Sequence, residues 1–261
     1  HEVILDVFAK RAQTKEASLQ VRLARLEYSL PRLRRAWTHL GRQRGGGVTQ
    51  RGEGEAQIEL DQRMLRDKIA STKREIAQVS VRRSTSRKKR QRIPLRTVAI
   101  VGYTNAGKST LLNCMTGSDV LSEDKLFATL DPTSRKVRLP GGRTVVLTDT
   151  VGFIRNLPHT LIASFKATLE ESRQANLLLH VADASSVEVL EQVKAVYGVL
   201  EEIGIEEKNT LLLLNKIDCV EHRERLDAIY SRYPNAIPVS GSTGFGLKRL
   251  TQAVSQSLSK H

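Results

Sequence analysis

The chain is 261 residues long, 39% hydrophobic and 27% charged, with a formal net charge of +14. This balance excludes an intrinsically disordered chain, and no apolar run approaches the roughly 18–20 residues that cross a bilayer, which excludes a helical membrane protein. Two cysteines, Cys114 and Cys219, cannot build a disulfide framework and have no metal-like neighbours, so a reducing compartment is the default.

The charge is uneven. Residues 1–96 hold 24 Lys and Arg against 10 Asp and Glu, whereas residues 97–261 hold 18 of each. The whole excess sits in the first part, which predicts two functional units, one of them meeting a polyanion. Aromatic residues are few there: Phe8, Tyr28 and Trp37. That favours contact with a phosphate backbone over stacking on single strands. The blander alternative is a well-solvated helical surface.

The first unit, residues 1–96, reads as a long antiparallel helical hairpin. Leu19, Leu23, Leu26, Leu30, Leu33, Trp37 and Leu40 form an alternating four-three seam, and Pro31 is expected to kink it. A second seam runs through Ile58, Leu65, Ile69, Thr72, Ile76 and Val79. Between them residues 41–54, GRQRGGGVTQRGEG, carry six glycines, too many for a helix interior. They predict a flexible basic tip, with Arg42, Arg44 and Arg51 as RNA-contacting residues. Thirty helical residues on either side would reach about 45 Å. Residues 82–92, RRSTSRKKRQR, read as a solvated basic linker.

The second unit, residues 97–261, carries the chemistry. Thr97–Val101 is a β-branched run suited to a buried strand, followed at once by GYTNAGKS at 102–109. This is the phosphate-binding loop in its expected context, between a strand and a helix from about Lys108 to Thr116. Gly102 and Gly107 let the backbone wrap an anion, Lys108 reaches the β- and γ-phosphates, and Ser109 offers a hydroxyl to magnesium. The whole loop, Gly102, Tyr103, Thr104, Asn105, Ala106, Gly107, Lys108 and Ser109 with Thr110 after it, is assigned to the nucleotide. Arg143–Thr148 gives a further strand ending in DTVG at 149–152. Asp149 suits a carboxylate facing magnesium through water, and Gly152 a backbone amide that senses the γ-phosphate.

The third motif selects the base. TLLLLNKID at 210–218 is a strand ending in Asn215, Lys216 and Asp218. The Asp218 carboxylate can accept from guanine N1–H and its 2-amino group, a donor pair adenine lacks. Asn215 braces the loop, and the Lys216 stem can lie over the ring. Ser240, Gly241 and Ser242 follow the last strand, Ala236–Val239, where a base-contacting loop belongs. Three motifs in this order and spacing specify a guanine-nucleotide site for GTP and GDP.

These residues resemble the translation-factor-related GTPases, and the chain resembles the HflX family of ribosome-associated GTPases. The resemblance rests on GYTNAGKSTLLN at 102–113, LFATLDPTSR at 126–135 and LTDTVGFIRNLPHTLIASFKATLEE at 147–171. It extends into the helical unit through residues 4–33 and GEAQIELDQRMLRDKI at 54–69. Family members carry a further N-terminal α/β domain, so His1 is expected to mark a truncation. Gly241 stands where such GTPases commonly have Ala, and Ala56 where relatives usually have Thr.

The resemblance implies that Thr129 is the switch threonine, closing over the γ-phosphate and completing the magnesium shell; Thr133 competes, and spacing does not decide between them. Phe153 stands where many GTPases place a glutamine that orients the attacking water. Asn105 occupies a position that in some related GTPases helps hold potassium, although it also suits a turn. Lys108, Thr129, Gly152 and Asn105 form the expected catalytic set, with Ser109, Thr129 and Asp149 around magnesium.

The expected fold is α/β: a Ras-like P-loop GTPase domain preceded by the helical hairpin. Its sheet should have six strands, mostly parallel, of which one near Lys136–Leu139 is antiparallel and joined by a Pro140-Gly141-Gly142 turn. The resemblance implies GTP-dependent binding to the large ribosomal subunit and its RNA, in splitting or rescuing stalled ribosomes. The protein is expected to be a monomer, with no membrane partner, in a bacterial cytoplasm, plastid stroma or mitochondrial matrix. The alternatives are a GTPase of ribosome assembly and a signalling GTPase whose basic hairpin meets a membrane or an acidic protein.

Overall fold

The structure is a computed structural model that describes residues 2–43, 48–90, 95–117, 133–154, 172–205, 209–221 and 223–259. The chain divides into two compact units that part after Arg90. No helix among the described residues is long and apolar enough to cross a membrane.

The first unit contains three helices: α1 (Glu2–Arg11), α2 (Lys15–Gln43) and α3 (Val48–Arg90). Thr14 starts α2, its hydroxyl oxygen accepting the Ala17 N–H at 3.1 Å, as an N-cap does. Leu5 and Phe8 of α1 and Ala17, Leu19, Val21, Leu23 and Ala24 of α2 are buried. Leu26, Leu30 and Leu33 continue the expected seam half-buried, and Trp37 and Leu40 fall outside the described side chains. On α3 the expected positions Ile58, Leu65, Ile69, Ile76 and Val79 are half-buried and Thr72 is buried. Thr72 satisfies its hydroxyl by donating to the Lys68 carbonyl at 2.7 Å. Lys73 of α3 pairs with Glu27 of α2 at 2.8 Å, and Arg25 of α2 pairs with Asp6 of α1.

Helix α2 itself runs through Pro31 as one element, the exposed proline removing a helical bond whose carbonyl water can solvate. Two local expectations are corrected. The described ends of the glycine-rich segment are helical: Gly41 belongs to α2, and Gly52 and Gly54 to α3, whereas the expected tip at residues 44–47 lies outside the described residues. Glycine costs only about 1 kcal/mol in a helix and has no steric bar to it, so propagation from long flanking helices prevails. The run at 82–92 is not an irregular linker up to Arg90, since α3 continues through it; Arg and Lys are strong helix formers.

In the second unit six strands form one sheet: β1 (Arg96–Gly102), β2 (Thr133–Arg138), β3 (Thr144–Asp149), β4 (Leu177–Asp183), β5 (Thr210–Asn215) and β6 (Ile237–Pro238). Their order is β2-β3-β1-β4-β5-β6, and β2 alone is antiparallel. The turn from β2 to β3 closes with the Leu139 N–H on the Arg143 carbonyl at 2.8 Å, Gly141 and Gly142 taking φ of 85° and 79°. On one face Val98, Ile100, Leu147, Leu179 and Val181 pack with Leu111 of α4 (Lys108–Thr116) and Leu250 and Val254 of the C-terminal helix Leu247–Ser259. On the other, Ala182, Leu212 and Leu214 pack with Val193 and Ile229 of helices Val189–Glu202 and Arg223–Arg232. Both layers being covered, strands β1, β4 and β5 read as continuous apolar runs. They end together at Gly102, Asp183 and Asn215, and this edge carries the site.

Candidate nucleotide-binding site

The phosphate loop bridges β1 and α4. Gly102 lies so close to β4 that a Cβ there would stand 2.2 Å from the Val181 carbonyl oxygen. Gly107 takes φ of 84°, and a Cβ on it would stand 2.3 Å from the Asn215 amide nitrogen. Both glycines are therefore demanded by contact as well as by the turn. Asn105 takes φ of 58°, a left-handed conformation that asparagine tolerates, and is exposed on the loop. Thr104 is buried, Tyr103 and Thr110 are half-buried.

Lys108 is buried at the start of α4 and donates to the Tyr103 carbonyl at 2.9 Å. Burial lowers its ammonium to about 8, while the nearby Asp149 charge pulls the other way. Ser109 donates to Asp149 Oδ2 at 2.6 Å. Asp149 is buried at the end of β3, in register with Ile100 of β1 on one side and Thr133 of β2 on the other. A hydroxyl and a carboxylate in this contact are hard oxygen donors, the set magnesium prefers, and one would reach the ion directly and the other through water.

The DTVG segment is strapped to the phosphate loop. Thr104 N–H donates to the Phe153 carbonyl at 2.7 Å, and Phe153 N–H to the Gly102 carbonyl at 3.1 Å. A Cβ on Gly152 would stand 2.9 Å from Thr104 Cα and 3.0 Å from Lys108 Nζ. The Phe153 ring is buried, packing as a residue without polar atoms must.

On the base side Asn215 is buried and joins two loops. Its amide NH₂ donates to the Ala106 carbonyl at 2.8 Å, and its amide oxygen accepts the Gly241 N–H at 2.9 Å. Gly241 is buried, and a Cβ there would stand 3.1 Å from the Leu111 nitrogen, a tight fit that glycine relieves. Asp218 is exposed and accepts from Ser242 Oγ at 3.2 Å. Hydrogen bonding, first from Ser240, holds its carboxyl below the ordinary value, so the group stands ready as an acceptor. Ser240 and Ser242 hydroxyls meet at 2.9 Å, and Thr243 N–H donates to Ser240 Oγ at 3.1 Å.

The structure thus brings together the phosphate loop, Asp149, Gly152, Asn215, Lys216, Asp218 and the Ser240–Ser242 loop. Thr129 lies outside the described residues; Thr133 is exposed on β2. Arg44 also lies outside them, and Arg42 and Arg51 are described only as backbone of α2 and α3. Two neighbours of the site escape a motif search. His180, in the apolar run of β4, is buried and stacks edge-on against Tyr197 at 4.9 Å. Burial, reinforced by Lys108, pushes it down to about 3, so it stays neutral in the core. Asp183 pairs with Lys216 at 2.8 Å. An acidic residue at a strand end was the available signal for it.

A family described as GTP-binding GTPase Middle Region matches residues 11–90, and one described as 50S ribosome-binding GTPase matches residues 97–216. GTPase HflX of Magnetococcus marinus is 52% identical over 95% of this chain, and GTPase HflX of Escherichia coli is 50% identical over 98%. The chain spans 57% and 60% of the lengths of these two relatives. Among solved structures, a GTP-binding protein from the archaeon Sulfolobus solfataricus in complex with GDP aligns with TM-score 0.62 and 26% identity. That alignment covers 99% of this chain and 71% of the archaeal one. A P-loop fold with its three motifs at the ends of β1, β3 and β5, a helical unit before it and identity of about one half with these relatives over nearly all of this chain place it in the HflX family of GTPases.

Proposed function

We propose that the chain binds guanine nucleotides and hydrolyses GTP, and that the GTP form binds the large ribosomal subunit to split or rescue stalled ribosomes. The observation that carries the nucleotide reading is the Asn215 bridge. One buried amide ties the phosphate loop at Ala106 to the base loop at Gly241, fixing the two halves of a mononucleotide slot against each other.

Within that slot Lys108 neutralises the β- and γ-phosphates, and α4 presents its N-terminal end to them. Ser109 and Asp149 would hold magnesium, with Thr129 as the third residue from the switch. The ion, when bound, neutralises charge developing on the phosphate oxygens. Asp218 selects guanine, and Ser240, Gly241 and Ser242 close the base loop. Gly152 senses the γ-phosphate through its amide, held against Thr104 and Lys108. Buried Phe153 has no group to orient water, so intrinsic turnover is slow and depends on an activator: the ribosome, or potassium beside Asn105. The exposed Asn105 amide suits such a cation, and its φ of 58° equally suits a turn residue.

The ribosomal part rests on the match of residues 97–216 to the 50S ribosome-binding GTPase family and on the positive excess of residues 1–96. Arg42, Arg44 and Arg51 are its proposed RNA contacts. Sedimentation with purified ribosomes in GTP, GDP and a non-hydrolysable analogue tests it. Pelleting with mature large subunits in the GTP-like states alone is expected, with fewer intact ribosomes after GTP addition. Selective binding to assembly intermediates would replace splitting with an assembly role, and binding to anionic vesicles but not ribosomes would replace both with a signalling role.

A further inference from the structure

We propose that Asp183 is a positioning residue for the purine slot: it anchors the Lys216 ammonium so that the lysine's methylene stem forms a fixed wall for the ring. The inference rests on the base-site reading above and extends it to a residue outside the three motifs.

The geometry begins with register. β4 and β5 run parallel with Asp183 opposite Asn215, so the two strands end level and the next residues leave the sheet together. Ala184 N–H donates to the Asn215 carbonyl at 2.8 Å, which ties the two exits. Lys216 then takes φ of 59°, a left-handed conformation unusual for a long side chain. A lysine adopts it at some cost, which the surrounding contacts must offset. Its Nζ reaches Asp183 Oδ2 at 2.8 Å. On the way its Cε passes 3.9 Å from where a Gly107 Cβ would stand, so the stem runs beside the phosphate loop.

Asp183 is itself held. Its other oxygen, Oδ1, accepts the Ser185 N–H at 3.0 Å and the Ser185 hydroxyl at 2.5 Å. Both charged groups are largely withdrawn from water, the Lys216 side chain 28% exposed and the Asp183 side chain 17%. A fully exposed pair of flexible side chains contributes little. Here Ser185 already fixes the carboxylate through Oδ1, so the lysine carries most of the entropy to be lost, and it loses it before the nucleotide arrives. Anchored in this way, the stem contributes apolar contact to a purine without a further ordering cost. It touches a ring face and reads no edge, so its contribution is the same for guanine and hypoxanthine.

The test compares GTP and ITP, which lacks the 2-amino group, on the full 261-residue chain. Asp183→Asn keeps an acceptor for Ser185 but removes the charge that anchors Lys216. Both nucleotides should bind about three- to tenfold more weakly, with their affinity ratio unchanged and with kcat at saturation retained. In a Lys216→Met background, where the stem remains and the ammonium is gone, Asp183→Asn should have no further effect. Unchanged affinity in Asp183→Asn overturns the proposal. So does an altered GTP-to-ITP ratio, or an equal loss in the Lys216→Met background, which would reveal a merely structural role. Asp218→Asn, measured beside these, reports on the base-site reading separately: if it leaves guanine preference intact, that reading fails whatever Asp183 does.

Discussion

The two units hold their shapes by different means. In the first, long helices meet along seams that are mostly half-buried beyond Leu26, and the fully buried contacts of α2 cluster at its start, from Ala17 to Ala24. In the second, strands β1, β4 and β5 are almost wholly buried, and particular atoms meet at their ends. A Cβ on Gly102 collides with Val181, and one on Gly107 with Asn215. The difference teaches where side-chain identity is dictated. In the sheet unit individual atoms are specified, whereas in the helical unit a periodic pattern suffices and surface residues are free to carry charge.

The sharpest way to break that contrast is to change one atom group in the site. Lys108→Ala removes the ammonium proposed to neutralise the phosphates while leaving β1 and α4 their apolar contacts. GTP turnover should fall about a thousandfold with no loss of melting temperature. Wild-type turnover in this variant, measured by phosphate release, would dispose of the site. Asp218→Asn should cost about a hundredfold in GTP affinity, since it disrupts two hydrogen bonds to a charged acceptor, and should shift preference toward xanthosine triphosphate. Competition binding with both nucleotides checks it.

In the helical unit no single residue should matter so much. If Arg42, Arg44 and Arg51 meet RNA phosphates, replacing all three by Ala should lower the log–log salt slope of ribosome binding by about 2. GTP affinity should not change. A slope that stays the same would move the contact to another face, for which the exposed Arg63, Arg66 and Arg74 of α3 are available.

The same contrast explains what was legible in the sequence. The phosphate loop, Asp149, Asn215 and Asp218 were readable because the ligand chemistry fixes residue type at each place, and the strand before each motif is a simple apolar run. The seams of α2 and α3 were readable from period alone. Their ends were not: glycine and arginine runs bias a backbone without dictating it, and long helices extended through Gly52, Gly54 and Arg82–Arg90. Helix α1 is only ten residues long; Ile4, Leu5 and Phe8 at helical spacing and Lys10 and Arg11 in its last turn are its local signals, too few to set it apart from α2 in the sequence. The role of Asp183 was not legible, since an acidic strand end names no partner: Lys216 follows β5, and only the register of β4 with β5 brings the two together.

A smaller effect separates the folding of the site from its use. The Lys108 ammonium, lowered by burial from 10.5 to about 8, loses its proton on the unliganded protein as pH rises through that value. Phosphate favours the charged form, so binding above pH 8 must take up a proton. Affinity should fall by up to about tenfold per pH unit there and be flat below it. Between 8 and 10.5 the unfolded chain holds more protons at this residue than the fold does. The unliganded fold should therefore gain stability from it over the same range in which nucleotide affinity declines. Calorimetry in buffers of different ionisation enthalpy measures the uptake, and Lys108→Met should abolish both trends. Proton uptake unchanged in that variant would assign the titration to another group.

The smallest expected effect concerns the cation. Phe153 is buried and offers no group to the attacking water, so intrinsic turnover should lie in the slow range of about 10⁻⁴ to 10⁻² per second. In such a site a positive charge near the transferring phosphoryl group has most to contribute, because negative charge spreads over its oxygens in the transition state. Asn105 stands exposed on the phosphate loop in a left-handed conformation, with its amide available to a monovalent ion. Potassium, larger than sodium, suits a wide shell of amide, carbonyl and phosphate oxygens. Turnover should be several-fold faster in potassium than in sodium at matched ionic strength, and the difference should vanish in Asn105→Ala while GTP affinity is nearly kept. Asn105→Gly, which keeps the left-handed backbone without the amide, separates the two readings of this residue. If Asn105 serves only as a turn residue, the glycine variant retains whatever salt preference the wild type has. If it holds the ion, the preference is lost in both variants, and ribosomes should still stimulate them, since RNA would position the water independently. Equal rates in the two salts for the wild type would remove the cation and leave the ribosome as the activator.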